Sequence, residues 1–200
     1  MSNYERIYEN IRPWLADCDF VEAASRLGFE PPVNGVLTFA SLGREWRVDS
    51  GGVEQCGGLK IHVNFRNVII WYLTFRDSIW TPVIRSGDGF ASLGSLSNGN
   101  FGQRSADFQS FDWQRHSGLT LGEFRNTSER IGAEFIRPER YGEARQLYVF
   151  PKVPALLTFS EQDDEFPAQV DIKFRSDVLT YLPFETLAVL YGLIAAEFGR

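Results

Sequence analysis

Cysteine is scarce: Cys18 and Cys56 are the only two in 200 residues. A secreted domain stapled by disulfides carries more, and two isolated cysteines match no zinc or cluster spacing. Both are expected to be reduced thiols. Histidine is equally scarce, with His62 and His116 alone, and no G-x-S-x-G is present. A serine nucleophile on a sharp turn with a histidine in reach is therefore not indicated. His62 alternates with Ile61 and Val63 and reads as a strand residue, whereas His116 ends a predicted helix, where a cation suits the dipole. Gly87-Asp88-Gly89 lacks a following G-K-[ST], and Asp88 would repel a phosphate, so it reads as a solvated loop. Apolar runs are short. The longest, Leu187 to Ala196, is interrupted by Gly192 and falls well below the roughly 20 residues of a membrane span. Met1 to Glu9 is polar, with no signal-peptide core. The expectation is a soluble, cytoplasmic protein without a membrane partner.

Basic runs are also missing. Lys and Arg total 20 against 26 Asp and Glu, a net charge of −6. A negative surface repels phosphate backbones, which argues against nucleic acid as a partner.

What is abundant is aromatic: 17 Phe and 5 Trp in a chain that is 44% hydrophobic. That composition builds a core, and the length suits one domain. Ile7, Ile11, Trp14 and Leu15 fall at helical spacing within Tyr4 to Leu15. Asp19 caps a second helix, Phe20 to Leu27, stopped by Gly28. Gly35 to Val48 reads as a hairpin, with Leu37 and Phe39 on one arm, Trp46 and Val48 on the other, and Leu42-Gly43 turning. Ser50 to Gly58 is a second turn or a strand edge. Asn64 is expected to cap a third helix, Phe65 to Phe75, apolar on most of its circumference.

Arg76 to Arg104 shows no periodicity and holds five glycines among many serines. Unstructured connections of this length are usually functional or mobile. Ser105 to His116 and Leu119 to Gly132 read as helices, the second with Leu121, Phe124, Ser128 and Ile131 on one face. Gln146 to Phe150, Ala155 to Ser160 and the alternating Val170, Ile172 and Phe174 are strands. Pro183 then starts a helix whose Phe184, Leu187, Tyr191, Ile194 and Phe198 are expected to cover the last strand. The fold class is α+β: an antiparallel sheet of hairpins packed with several helices in one domain, with a long glycine-rich segment at 76–104.

Glu161, Asp163, Asp164 and Glu165 form an acidic cluster where a turn should join two strands. They offer hard oxygen ligands, but lack the spacing and glycine of a calcium loop. A solvated turn or a recognition site fits better than a metal site.

Three segments carry a resemblance. Phe150-Pro151-Lys152-Val153-Pro154, then Glu161 to Pro167 (E-Q-D-D-E-F-P), then Tyr181-Leu182-Pro183-Phe184-Glu185 are similar to the closing motifs of domain-of-unknown-function family 3786 of anaerobic bacteria and archaea. Gly43 to Val48 resembles that family's early hairpin, and Ile69 to Leu73 its central helix. The chain departs from the pattern at Arg175, where the family usually has Asp, and at Ser92-Leu93-Gly94-Ser95-Leu96, where it has a Ser-Phe-x-Glu-Leu-Pro run. Some relatives carry the domain beside an iron–sulfur module like that of corrinoid proteins. The resemblance thus implies a role near corrinoid or anaerobic one-carbon metabolism. This chain has no cysteine set for a cluster of its own.

Together these features read as a binding module for a tetrapyrrole- or corrinoid-type cofactor or for a partner protein, with homo-oligomerisation left open. The expected binding residues are Glu161, Asp163, Asp164, Glu165, Tyr181, Trp80, Phe90 and Phe101. Axial ligation of a tetrapyrrole metal would fall to His62 or His116. The rivals are an enzyme using the acidic carboxylates as an acid/base pair, and an assembly subunit anchored by Trp80 and Phe101. Alkylation of the unfolded protein without reductant should count both thiols. Protection of both, reversed by reductant, would contradict the expected cytoplasmic location.

Overall fold

The computed structural model describes residues 2–57, 60–76, 89–96, 118–164 and 166–199. The Ser2 hydroxyl accepts the Glu5 amide while the Glu5 carboxylate accepts the Ser2 amide, a reciprocal cap that starts α1 (Asn3–Ile11). Pro13 tightens the following turn into a 3-10 helix, Arg12–Leu15, so the helix expected over Tyr4 to Leu15 divides there. The Asp19 carboxylate accepts the Val21 and Glu22 amides to start α2 (Phe20–Leu27), and Gly28 ends it at φ 80°. The hairpin is β1 (Leu37–Ser41) with β2 (Arg44–Asp49), and the glycine-rich stretch after it supplies β3 (Gly52–Gln55).

The segment before α3 (Asn64–Thr74) corrects two expectations. His62 lies in a loop, not a strand, and Asn64 is the first helical residue rather than the cap. The backbone already turns at Val63, and the Asn64 amide donates to Nδ1 of His62 at 3.2 Å. Part of the aperiodic stretch is ordered as β4 (Phe90–Ser92) and α4 (Leu93–Leu96), with Leu93 and Leu96 buried. The expected helix Ser105 to His116 lies outside the described residues.

Thr120 and Glu123 make a second reciprocal cap for α5 (Leu121–Arg130), and Phe124, Ser128 and Ile131 point inward as the spacing predicts. β5 (Glu134–Glu139) was not anticipated. Its residues are exposed or half-buried, so it carries no buried alternation to betray a strand. The rest of the chain forms β6 (Gly142–Phe150), β7 (Val153–Ser160), β8 (Gln169–Arg175) and α6 (Phe184–Phe198).

The strands make two antiparallel sheets, ordered β1-β2-β3 and β4-β8-β7-β6-β5, so the mixed α+β class holds. Directly opposed residues share a sheet face. The register Leu147↔Ala155↔Phe174 and Arg145↔Leu157↔Ile172 therefore aligns the apolar β8 side chains with the helix-covered face. Phe124, Phe159 and Phe198 stack there, joining α5, β7 and α6 at centroid distances of 5.1 and 5.5 Å. Arg145 and Glu143 fall on this same face, buried. They are satisfied because Glu143 accepts from Arg145 at 2.6 Å and from Arg125 of α5 at 2.8 Å, while Arg145 also reaches Glu129 at 3.2 Å. Burial pushes the Glu143 carboxyl up, but those two arginine hydrogen bonds outweigh it and leave its pKa lowered.

α6 is more deeply embedded than a helix covering one sheet face. Leu187, Leu190, Leu193, Ile194 and Phe198 are buried, while Phe184 and Tyr191 are only partly so. It packs against α3 as well as β8, so apolar residues surround it. The smaller sheet joins the larger through aromatic rings: Phe150 stacks on Tyr72 at 4.3 Å and on Phe65 at 5.8 Å, and meets Phe39 edge-on at 6.0 Å.

A buried ion triad fixes the tip of the first hairpin. Glu197, fully enclosed near the end of α6, accepts from Arg44 of β2 at 3.0 Å and from Arg130 of α5 at 2.6 Å. Arg44 also donates to the carbonyl of Leu42. The approach is so close that a Cβ on Gly43, at φ +68°, would meet the Arg130 carbonyl oxygen at 1.9 Å. Only glycine fits there.

Leu187→Ala should destabilise the protein by about 2–5 kcal/mol, read as a lower denaturant midpoint at unchanged slope. An unmoved midpoint would show that the helix is not core. Glu197→Leu alone should cost about 3–5 kcal/mol, because Arg44 would stay buried without its carboxylate, and adding Arg44→Met should recover most of that loss. Simple additivity of the two losses would show that the triad is not a coupled unit.

Candidate functional site

The expected site residues do not converge. Glu161, Asp163 and Asp164 lie exposed in the β7–β8 connection. There the Asp163 carboxylate accepts the Phe166 amide at 2.7 Å, and the Asp163 amide donates to the Phe166 carbonyl at 3.0 Å, closing the turn on itself. Among the described residues, no group of three His, Cys, Asp or Glu is placed to hold a metal. Phe90 and Tyr181 sit at the opposite end of the sheet. Phe90 pairs with Arg175, the last residue of β8, and the Tyr181 and Tyr148 hydroxyls act on the same guanidinium. Seven residues of β8 separate the two groups, about 20 Å of strand. Arg175 donates to Asp177 at 2.5 Å, which together with the two tyrosines outweighs burial and raises its pKa. Trp80, Phe101, Glu165 and His116 lie outside the described residues.

Among the described residues, two of the larger clefts lie at the ends of α3, one at each. The first, about 700 Å³, is lined by Trp14, Asp17, Cys18, Trp71, Phe75 and Arg76 among others. It exists because the 3-10 turn breaks the helical phase: Leu15 goes fully inside while Trp14 swings out and stays 40% exposed. Trp14 meets Trp71 edge-to-face at 4.9 Å and 87°. Arg26 holds the end of α3 by donating to the Leu73 carbonyl at 2.9 Å, and Arg76 pairs with Glu22 at 2.7 Å on the rim. Burial pushes the Cys18 thiol up against the pull of Arg26 and Arg76, so a thiolate is disfavoured. Trp14 had the spacing of a core residue, and the signal for its exposure was the neighbouring Pro13.

The second cleft, about 570 Å³, opens where β3 leads into α3. Trp46 and Val53 form its apolar side, and Cys56, Lys60, His62 and Arg66 line the remainder with Glu54. Gln55 braces the loop, its amide group donating to the Gly57 carbonyl at 3.0 Å and accepting from the Ile61 amide at 3.2 Å. The Arg66 guanidinium lies 4.1 Å over the Tyr8 ring, and the Tyr8 hydroxyl accepts the Val53 amide at 3.0 Å. Because Nδ1 of His62 accepts the Asn64 amide, neutral His62 carries its proton on Nε2 and can only donate there. That tautomer withholds the lone pair an axial metal ligand needs. Cys56 is exposed, and residual desolvation with Glu54 and Glu45 nearby raises its pKa against Arg47, so it is not an activated nucleophile.

No described helix is long and apolar enough to cross a membrane. Neither a curated protein nor a solved structure matches the chain. Residues 19–197, from the N-cap of α2 to the buried glutamate of α6, match the family described as Domain of unknown function (DUF3786). With nearly all of its length covered, including the motifs around Pro151, Pro167 and Pro183, the chain belongs to that family.

Proposed function

We propose that this chain is a binding module whose recognition surface is the Trp14–Trp71 cleft, and that its occupant is an apolar segment of a partner protein. The observation that carries the reading is the exposed Trp14, held edge-on to Trp71 beside Arg76. Tryptophan and arginine are the side chains that most often anchor protein interfaces, and a ring fixed by its neighbour loses little entropy when covered. Trp14, Asp17 and Cys18 precede the family-matched segment, which favours a partner particular to this chain over a ligand common to the family. The exposed acidic turn supports catalysis less well, because neither cleft includes its carboxylates.

A second reading, a tetrapyrrole-type ligand lying flat on Trp14, is favoured by the cleft's volume, which falls within the usual small-ligand range. Such a ligand would be held by stacking, since among the described residues the soft donor lining the cleft is the Cys18 thiol with its raised pKa.

Quantitative recovery of partners from native cells, followed by reconstitution with the purified partner, compares wild type with Trp14→Ala. The variant should bind the partner roughly thirtyfold more weakly, the scale of a hot-spot truncation of about 2 kcal/mol. Its own stability should fall by only about 1 kcal/mol, the value of one aromatic pair. Equal binding by both proteins would overturn the partner reading. Tryptophan quenching by hydroxocobalamin or haem that saturates in wild type and is lost in Trp14→Ala would establish the second reading instead.

A further inference from the structure

We infer that the cleft between β3 and α3 is a separate binding site for a small organic anion, one with an oxyanion head and an apolar body. The inference goes beyond the partner reading and uses none of its residues. The chain is acidic overall, and among the described residues Arg12, Arg26, Arg44, Arg76, Arg125, Arg130, Arg137, Arg145 and Arg175 stand in ion pairs, whereas Arg6, Arg47, Arg66 and Arg140 do not. Lys60 and Arg66 form no ion pair among the described residues, yet both line this cleft. The Arg66 charge is felt by the Glu5 carboxylate without forming an ion pair with it. Two cations outside any ion pair among the described residues, brought to one concave surface of a negatively charged protein, leave donors facing the cleft.

The third donor is His62. Its Nδ1 is occupied by the Asn64 amide, so the ring nitrogen left over is an N–H in the neutral state, suited to an oxyanion and unsuited to a metal. Arg66 is pre-positioned on the Tyr8 ring, and Tyr8 is itself fixed by the Val53 amide. A guanidinium held in this way offers its planar fork to a carboxylate or phosphate with little further ordering. α3 begins at this cleft, so the positive end of its dipole adds to the same field. Trp46, Val53, Ile61 and Val63 line the same cleft and offer apolar surface. Among the described residues Glu54 is the one acid lining the cleft, and it disfavours an anion that fills the whole space while permitting one whose charge sits by Lys60 and Arg66. The residues that line this cleft all lie within the family-matched segment, and Tyr8, on which Arg66 rests, lies before it.

The test is a titration of the full chain with inorganic phosphate, phenyl phosphate and benzoate at constant ionic strength. It is followed by amide, indole and arginine Nε chemical shifts. Phenyl phosphate or benzoate should give saturable shifts at Arg66, Ile61 and the Trp46 indole, and should bind more tightly than inorganic phosphate. Arg66→Met should weaken binding by at least about tenfold, the loss of one charge-assisted hydrogen bond. Lys60→Ala, at an exposed residue making no hydrogen bond or ion pair among the described residues, keeps the test independent of folding and should weaken binding several-fold. Trp14→Ala should leave the affinity unchanged, which separates this site from the partner surface. Shifts that do not saturate with any of the three probes, or that persist unaltered in both cation variants, would overturn the site. Equal affinity for phosphate and phenyl phosphate would overturn the apolar body.

Discussion

The Glu197 carboxylate sits in the last turn of α6, where the helix dipole is negative and an acid is least welcome. It is also fully enclosed. Two guanidiniums offset both penalties, Arg44 from the hairpin of the smaller sheet and Arg130 from the end of α5. A buried charge of this kind adds little net stability compared with apolar packing, but losing one member leaves the others stranded. Its consequence here is geometric. The triad ties the β1–β2 turn to the ends of two helices that pack on the larger sheet, and Gly43 permits the contact by having no side chain.

With that corner fixed, the aromatic rings around Phe150 set the remaining relationship between the sheets. Phe39 comes from β1, Phe65 and Tyr72 from α3, and Phe150 from the end of β6. α3 therefore runs through the middle of the molecule with one flank against the rings and another against α6. A helix buried along its length can contribute to surface sites only at its ends. That is where the two clefts described above occur: Trp71 to Arg76 at one end, Lys60 to Arg66 at the other.

The two ends differ in chemistry for local reasons. At the C-terminal end, Arg26 and Arg76 are drawn to the α3 carbonyls and to Glu22, leaving aromatic surface as the feature a partner would meet. At the N-terminal end Lys60 and Arg66 form no ion pair among the described residues, and the histidine tautomer is set by a backbone amide. Both thiols have raised pKa values, and the only carboxylate cluster recognised in the sequence lies in an exposed turn.

The start and stop of α2, the first hairpin and the alternating strand β8 were legible because each depends on neighbours in sequence: Asp19 on the two amides it caps, Gly28 on its own φ, Val170 to Phe174 on the pleat. The family motifs around Pro151, Pro167 and Pro183 were legible for the same reason. β5 was not, because an edge strand with exposed side chains carries no alternation. Nor were the clefts. Trp14 leaves the core only because Pro13 shifts the phase of one turn, and His62 becomes a fixed donor only because Asn64 begins a helix two residues later. Glu197, Arg44 and Arg130 stand more than sixty residues apart at their closest to the glutamate, and nothing local marks them as partners. Sequence determined the elements, since their physics is short-ranged. Which charges were neutralised and which were left facing a cleft was decided only when distant elements packed, because burial sets the electrostatic cost of every charge.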